Sequence, residues 1–186
     1  AEQEQFSPRI ASDGSGGALV FWQQRTGAGP ALYAQHVASD GSIASGWAAA
    51  GLELIAGANR VLGVNASGDA SGRVSVLVRS EPDSSGAKLW VAQIGPLSVP
   101  DASWAASAVT LASGAAEIAE PSILRAADGG ELIAWGERRS GSSALQVLRL
   151  TATGAIAEGW AQGGRTVAGS GVGISAPALL ADGGGG

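Results

Sequence analysis

The sequence predicts an all-β protein made of β-propeller-type blades, with three four-stranded antiparallel repeats and the start of a fourth. Three observations lead to this fold class. Landmark residues recur at intervals of about 56 positions, a spacing that suits one four-stranded blade. Each copy holds four short runs of alternating or β-branched residues, which is typical of strands. Glycine, at 30 of 186 residues, interrupts most stretches long enough for a helix.

The repeat is clearest between the first and third copies, whose matching residues are 113 positions apart. These pairs are Pro8 and Pro121, Trp22 and Trp135, Arg25 and Arg138, and Trp47 and Trp160. A middle copy halves the interval, because Trp47, Trp104 and Trp160 are 57 and 56 positions apart. We therefore divide one repeat array, 1–186, into repeat 1 at about 8–60, repeat 2 at about 61–119, repeat 3 at about 120–176 and a truncated repeat 4 at 177–186.

Within the first copy the predicted strands cover residues 9–12, 18–23, 32–37 and 52–56. The Asp13-Gly14 pair between the first two runs indicates a turn, since both residues tolerate positive φ. In the middle copy Leu77 is expected at the position of Trp22, and Pro177 is expected to open the first strand of the fourth copy.

Three blades and a stub are fewer than a closed propeller needs. We therefore expect a fragment of a longer repeat protein, or an open arc of blades. A stack of sheet sandwiches is the alternative all-β arrangement. No stretch is apolar over the roughly 20 residues that a membrane-spanning helix requires, so we expect no membrane span.

Nine residues at repeated positions are predicted to be structural. They are Asp13, Gly17, Trp22, Trp47, Asp69, Trp104, Asp128, Trp135 and Trp160. The tryptophans are expected to fill the seams between blades, and exposed sugar-stacking rings are the alternative. The turn carboxylates are oxygen ligands of the kind that calcium prefers, but one carboxylate per turn falls short of the roughly six ligands that calcium needs.

Composition excludes several classes of function. The chain has 11 basic and 16 acidic residues, which argues against nucleic-acid binding because phosphate contacts need clustered Lys and Arg. The absence of cysteine excludes disulfides, thiolate metal sites and a cysteine nucleophile. His36 is the only histidine, and we interpret it as an ordinary strand residue. We predict no catalytic residue, no metal and no cofactor.

The phrase Pro-x-Ile-x-x-Asp-Gly-x-Gly-Gly-Ala-x-Val-x-Trp-x-x-x-Arg at 8–25, followed by Leu32-Tyr33-Ala34-Gln35-His36-Val37 and Trp47, resembles a class of bacterial tandem repeats. Those repeats occur in long secreted or surface-exposed proteins and are taken to be propeller-like. The resemblance covers almost the whole chain and is closest in the first copy. It implies export to the bacterial cell surface or medium and a non-catalytic scaffold.

Four side chains are candidates for ligand contact. Arg25 and Arg138 could each bind a carboxylate or phosphate with two parallel hydrogen bonds, and the alternative is an ion pair within their own repeat. Tyr33 and Trp90 share a repeat position and could present a ring on one sheet face. The expected partners are other repeats of the same parent chain and a protein or glycan ligand.

An enzyme is the second hypothesis. In a propeller-type glycosidase or lyase, the site would be completed by blades beyond this sequence, and Glu53, Asp69 and Glu131 are its first candidate acids. Such a site requires two carboxyl groups within about 5–10 Å of each other.

Overall fold

The computed structural model describes residues 4–56, 61–95, 99–100, 104–170 and 175–182. Those residues form thirteen β-strands and one turn of 3-10 helix at Trp104–Ser107, and they contain no α-helix. None of the helical segments found there has the length and apolar character to cross a membrane. The protein is therefore all-β, as the sequence predicts.

The first sheet has four antiparallel strands in chain order. They are β1 (Gln5–Ser12), β2 (Ala18–Thr26), β3 (Gly29–Val37) and β4 (Leu52–Ile55). The pairing of β1 with β2 is interrupted between Phe6 and Arg9, where Ser7 has a φ of 52°. In the β2–β3 hairpin, Trp22 lies opposite Tyr33.

The second and third sheets repeat this order. The second contains β5 (Val61–Gly68), β6 (Val74–Asp83), β7 (Gly86–Ile94) and β8 (Val109–Ala115). The third contains β10 (Ser122–Arg125), β11 (Glu131–Arg139), β12 (Ser142–Leu150) and β13 (Arg165–Ser170), and the two-residue β9 (Glu117–Ile118) also pairs with β11. Together β9 and β10 correspond to β1, because both pair with the hairpin strand that follows them.

The chain divides into two compact units, each with its own core. Unit 1 contains Ala1–Val78 and Ala92–Ala108, and unit 2 contains Arg79–Val91 and Val109–Gly186. The second sheet contributes to both. In unit 1, Phe21 and Leu32 are fully buried, and β5 packs beside the first sheet. In unit 2, Trp135 is fully buried, and β8 lies beside β11.

The first sheet has two faces that differ in burial. The Phe21 face consists of Leu19, Phe21, Gln23, Leu32, Ala34 and His36. All six are buried, and Gln23 Nε2 donates to the Val61 carbonyl across the packed surface at 2.7 Å. The Trp22 face consists of Ala18, Val20, Trp22, Tyr33, Gln35 and Val37. On that face only Gln35 is buried, and the others are half-buried.

The third sheet shows the reverse pattern. Its Trp135 face consists of Glu131, Ile133, Trp135, Gln146, Leu148 and Leu150, and all six are buried. Its Leu132 face consists of Leu132, Ala134, Gly136, Leu145, Val147 and Arg149. There Ala134 and Gly136 are buried, but the four larger side chains are half-buried. The face that is covered in the first sheet is thus the more open one in the third.

Most of the predicted strands are confirmed, with two differences. Residues 9–12, 18–23 and 32–37 all lie in strands, and 52–55 form β4. Val78, and not Leu77, takes the place of Trp22, because Trp22, Val78 and Trp135 are each the fifth residue of their strand. Residues 175–182 contain no strand, so the strand predicted at Pro177 is wrong, and the glycines that follow Asp182 lie outside the described residues.

Candidate functional site

A buried Asp13–His36 pair is the most unusual polar feature of the first sheet. Asp13 lies in the β1–β2 turn, and its Oδ2 is 2.9 Å from His36 Nε2 at the end of β3. The carboxylate also accepts hydrogen bonds from the backbone N–H of Ser15 and of Gly17, each at 2.8 Å. Asp13 is 7% exposed and His36 is 6% exposed, so water competes weakly for these bonds.

The contacts of Asp13 keep it ionised. The hydrogen bond with His36 is the largest influence and holds the pKa of Asp13 well below its usual value, with help from Ser15 and Gly17 and against the opposing effect of burial. Because an ionised carboxylate can only accept hydrogen bonds, His36 donates from Nε2.

A cavity of about 230 Å³ lies beside this pair within unit 1. Turn residues of the first sheet, Asp13 to Ser15, form one wall, and Ala70 to Gly72 of the β5–β6 turn form another. Leu19 and Ile94 add apolar surface. The cavity therefore lies where the two hairpin turns meet.

The geometry does not activate a nucleophile. The hydroxyl that contacts the pair, Ser15 Oγ, donates to Asp13 Oδ2 at 2.8 Å, whereas a serine nucleophile must give its proton to the histidine. The ring of Trp47 meets His36 edge-on, with centroids 5.8 Å apart. His36 is thus held by Asp13 and Trp47, and these contacts support the interpretation of a structural histidine.

The same strand position makes a different polar contact in each sheet. His36, Gln93 and Arg149 are 57 and 56 positions apart. Gln93 Nε2 donates to Ser75 Oγ at 3.2 Å, and Arg149 Nη2 donates to Asp128 Oδ2 at 2.6 Å. In the first and third sheets, this position therefore ties the end of the third strand to the first turn.

The three turn aspartates are not all equivalent. Asp69 copies Asp13, since it accepts from the N–H groups two and four residues later, those of Ser71 and Arg73. In the third sheet Ala126 takes this turn position, because its N–H bonds to the carbonyl four residues later, as the N–H of Asp13 does. Asp128 thus lies two residues further along the turn than the repeat comparison predicts.

Equivalent tryptophans of the first and third sheets share one contact, a glycine packed against the indole ring. Trp22 lies against Gly51, and Trp135 lies against Gly164. The two glycines are also 113 positions apart, and a Cβ on either would overlap the indole ring. Trp135 is fully buried and donates from Nε1 to Glu137 Oε2 at 3.1 Å.

The second set of tryptophans is less uniform. Trp47 is 8% exposed, whereas Trp160 is half-buried with the guanidinium of Arg165 above its ring, 4.6 Å from the centroid. Trp104 begins the 3-10 turn, and its side chain lies outside the described part of the chain.

Arg25 and Arg138 both form ion pairs with a glutamate of the neighbouring strand. Arg25 Nε is 2.8 Å from Glu4 Oε2, and Arg138 Nη2 is 2.6 Å from Glu117 Oε2. Glu4 and Glu117 are themselves 113 positions apart, a signal that the sequence analysis did not use. The structure therefore supports an ion pair for both arginines, but by the repeat bounds given above the partners Glu4 and Glu117 lie before repeat 1 and at the end of repeat 2.

Tyr33 makes two contacts, one through its ring and one through its hydroxyl group. Its ring stacks on Trp22 with centroids 5.8 Å apart, and its hydroxyl donates to Glu53 Oε2 at 2.7 Å. That hydrogen bond raises the pKa of Tyr33, with smaller effects from burial and from the negative charge of Glu53. Trp90, at the matching position of the second sheet, is half-buried.

Each candidate acid of the enzyme hypothesis has a partner in its own sheet. Glu53 accepts from Tyr33, and Asp69 pairs with Arg73 at 2.8 Å. Glu131 is fully buried, and its Oε1 lies 2.8 Å from Arg125 Nη2. Within the described ranges, no three His, Cys, Asp or Glu side chains are placed to hold a metal ion.

No protein-family model matches the chain, and the curated protein sequences contain no match to it.

Proposed function

We propose that this chain is a non-catalytic β-propeller-type repeat segment of a secreted or surface-exposed bacterial protein, serving as a scaffold or as a platform for protein or glycan contact. The main support is that equivalent residues of the first and third sheets make the same internal contacts. The Trp–Gly and Arg–Glu pairs recur with a spacing of 113 residues. Side chains that could serve a ligand are thereby used in contacts within and beside each sheet.

The burial pattern supports stacked repeats. Five successive residues of β6 in the second sheet, Val74 to Val78, are buried, so both faces of the sheet are covered along this part of the strand. Repeats that cannot bury both faces alone gain a core by packing against neighbours. A propeller arrangement meets this need by placing successive sheets around one axis. A crystal structure of the chain tests it, and sheets stacked pairwise in sandwiches would contradict it.

The polar contacts favour a scaffold over a glycosidase. Glu53, Asp69 and Glu131 each bind a donor of their own sheet, whereas glycoside hydrolysis needs two acids that share one cleft. We expect no turnover when the chain is incubated with panels of aryl glycosides, polysaccharide substrates and peptides. Turnover that is lost on Glu53→Gln, Asp69→Asn or Glu131→Gln would refute the scaffold function.

The platform role has its own test. A glycan array and a pull-down from the producing bacterium's envelope fraction measure whether the chain binds a surface component. Cell fractionation of the producing bacterium tests the location, which rests on the resemblance to exported repeats. Recovery of the parent protein in the cytoplasm alone would contradict it.

A further inference from the structure

We propose that the cavity beside Asp13 and His36 in unit 1 is a binding site for a primary ammonium group on a short aliphatic chain. Free alkylamines and lysine side chains both carry this group, so a small amine or a lysine of a partner protein could fill the cavity. The site goes beyond the scaffold function and does not depend on it, because all of the described lining residues belong to unit 1.

The size and lining of the cavity suit a small ligand with one polar end. Its volume is about 230 Å³, below the roughly 300–1,000 Å³ of pockets that hold drug-sized ligands. Leu19 and Ile94 are buried and give the cavity apolar surface, whereas Ser15 and Ser71 of the two turns are exposed. A ligand can therefore enter from solvent beside the turns and place a short aliphatic chain against the apolar side.

The two serines of the cavity present hydrogen-bond acceptors. Ser15 Oγ donates its proton to Asp13 at 2.8 Å, and Ser71 Oγ donates its proton to Asp69 at 2.6 Å. Each hydroxyl oxygen keeps lone pairs for a ligand but has no further proton to give. The backbone N–H groups of the same serines also donate to these aspartates. A ligand that binds to the serines therefore has to supply the donors.

His36 provides a third acceptor, which the fold leaves unused. The residue is 6% exposed, and its Nε2 donates to Asp13. In the neutral ring the other nitrogen, Nδ1, is then an acceptor. Nδ1 makes no hydrogen bond to any residue that the structure describes, and it retains some accessible surface. Because water reaches such a buried ring poorly, a donor brought by a ligand in the adjoining cavity gains affinity.

The charge of Asp13 favours a cation over a neutral donor. The carboxylate is ionised, and a neutral His36 does not offset its charge. Asp69, by contrast, is paired with Arg73 at 2.8 Å. Among the described residues that line the cavity, none is lysine or arginine. A primary ammonium brings one positive charge and three N–H donors, which match the three acceptors in number.

NMR titration of the full chain near neutral pH tests the site. His36 is the only histidine, so its ring signals report on the cavity without ambiguity. At constant ionic strength, n-butylammonium should shift these signals to saturation. Two control ligands, n-butanol without the charge and tetramethylammonium without N–H donors, should bind several-fold more weakly.

The lysine side chain as a source of the group is tested with Nα-acetyl-lysine methylamide. Saturable binding of this compound supports a lysine of a partner protein as the occupant. Binding of n-butylammonium alone supports a free amine, because the backbone beside the lysine chain is then too large for the cavity. Both results support an ammonium site.

Two pairs of variants separate the cavity from general effects on the turns. Ser71→Ala removes one acceptor and should weaken n-butylammonium binding several-fold. Ser42→Ala is the matched control, because Ser42 Oγ donates to Asp40 at 2.6 Å in a turn that does not line the cavity. Ala70→Lys, at an exposed lining residue, places a competing cation at the cavity and should weaken binding more than Ala70→Gln.

Four outcomes would overturn the proposal. They are a wild type without saturable binding of n-butylammonium, equal binding of n-butanol, equal effects within either pair of variants, and a free protein in which ¹⁵N shifts show both ring nitrogens of His36 protonated. Circular dichroism checks that each variant folds. If Ser71→Ala unfolds, the comparison of Ala70→Lys with Ala70→Gln and the two control ligands still decide the outcome.

Discussion

Gly164 lies directly against the ring of Trp135, at a φ of 73° that side chains with a Cβ rarely adopt. Gly51 holds the same place against Trp22. The repeat therefore couples a large aromatic residue to a glycine some thirty positions later in the chain, and neither residue can change alone without disturbing the packing of the sheet.

Gly164→Ala should destabilise the protein by about 3 kcal/mol, of which about 1 comes from left-handed backbone strain and about 2 from overlap with the ring. The matched control is Gly163→Ala, which also has positive φ but open space around its Cβ. The control should cost about 1 kcal/mol. Urea denaturation of both variants gives the comparison, and equal losses would contradict the packing argument.

Asp13→Asn should destabilise the protein by about 1–3 kcal/mol near neutral pH, since the carboxylate accepts several charge-assisted hydrogen bonds in a buried turn. The pKa of Asp13 is lower in the folded than in the unfolded chain. Its stabilising effect is therefore fully present above the usual pKa of 3.8 and is lost as the pH falls further toward the folded value.

Measurement of the free energy of unfolding from pH 7 to pH 2.5 tests this sign. The difference between the wild type and Asp13→Asn should shrink below about pH 4. Asp40→Asn is the control, because Asp40 accepts hydrogen bonds from Ser42 in an exposed turn. This variant should lose less free energy of unfolding than Asp13→Asn. A difference that grows on acidification would contradict the role assigned to the Asp13–His36 contact.

Removing Arg125 should be far more damaging than removing Arg138. Arg125 pairs with Glu131, whose side chain is 1% exposed, whereas Arg138 and Glu117 are each about half exposed. Arg125→Ala leaves a buried carboxylate without this cation and should cost about 3 kcal/mol, while Arg138→Ala should cost less than about 1 kcal/mol. Thermal unfolding at low and high salt checks both, and similar losses would show that the burial of Glu131 does not matter.

The ionisation of Tyr33 can be measured without interference from other tyrosines, because it is the only one in the sequence. Absorbance at 295 nm should give an ionisation midpoint above the usual pKa of 10.0, since Glu53 accepts a hydrogen bond from the phenol O–H and its charge repels the phenolate. Glu53→Gln should bring the midpoint down toward that value. Glu117→Gln, at an exposed glutamate far along the chain, should leave it unchanged, and an unchanged midpoint in Glu53→Gln would remove the assigned cause.

Strand positions could be predicted from the sequence because alternation and glycine turns are local signals. The equivalence of Trp22 and Trp135 follows from the 113-residue spacing. The same spacing relates Glu4 to Glu117, so the sequence could have predicted the partners of Arg25 and Arg138. The shifted position of Asp128 could not be predicted, because it depends on which backbone groups form the hydrogen bond that closes the turn.

The burial of the two sheet faces could not be predicted either. Val20 and Ile133 are equivalent aliphatic residues at the same strand position, yet the first is half-buried and the second is fully buried. The difference depends on whether another sheet covers the face. The burial of such a residue is set by the neighbouring sheet and cannot be inferred from the residue type.

Within every sheet, each main strand after the first pairs with the strand that precedes it in the chain, and this order has a consequence for biosynthesis. Hydrogen-bonding partners leave the ribosome one after another, and the longest connection within a sheet has about 14 residues. Nearby partners close quickly because little loop entropy is lost. One sheet can therefore be complete while the next is still being translated, and a nascent chain that stalls after the first sheet leaves the Phe21 face without the strand that covers it.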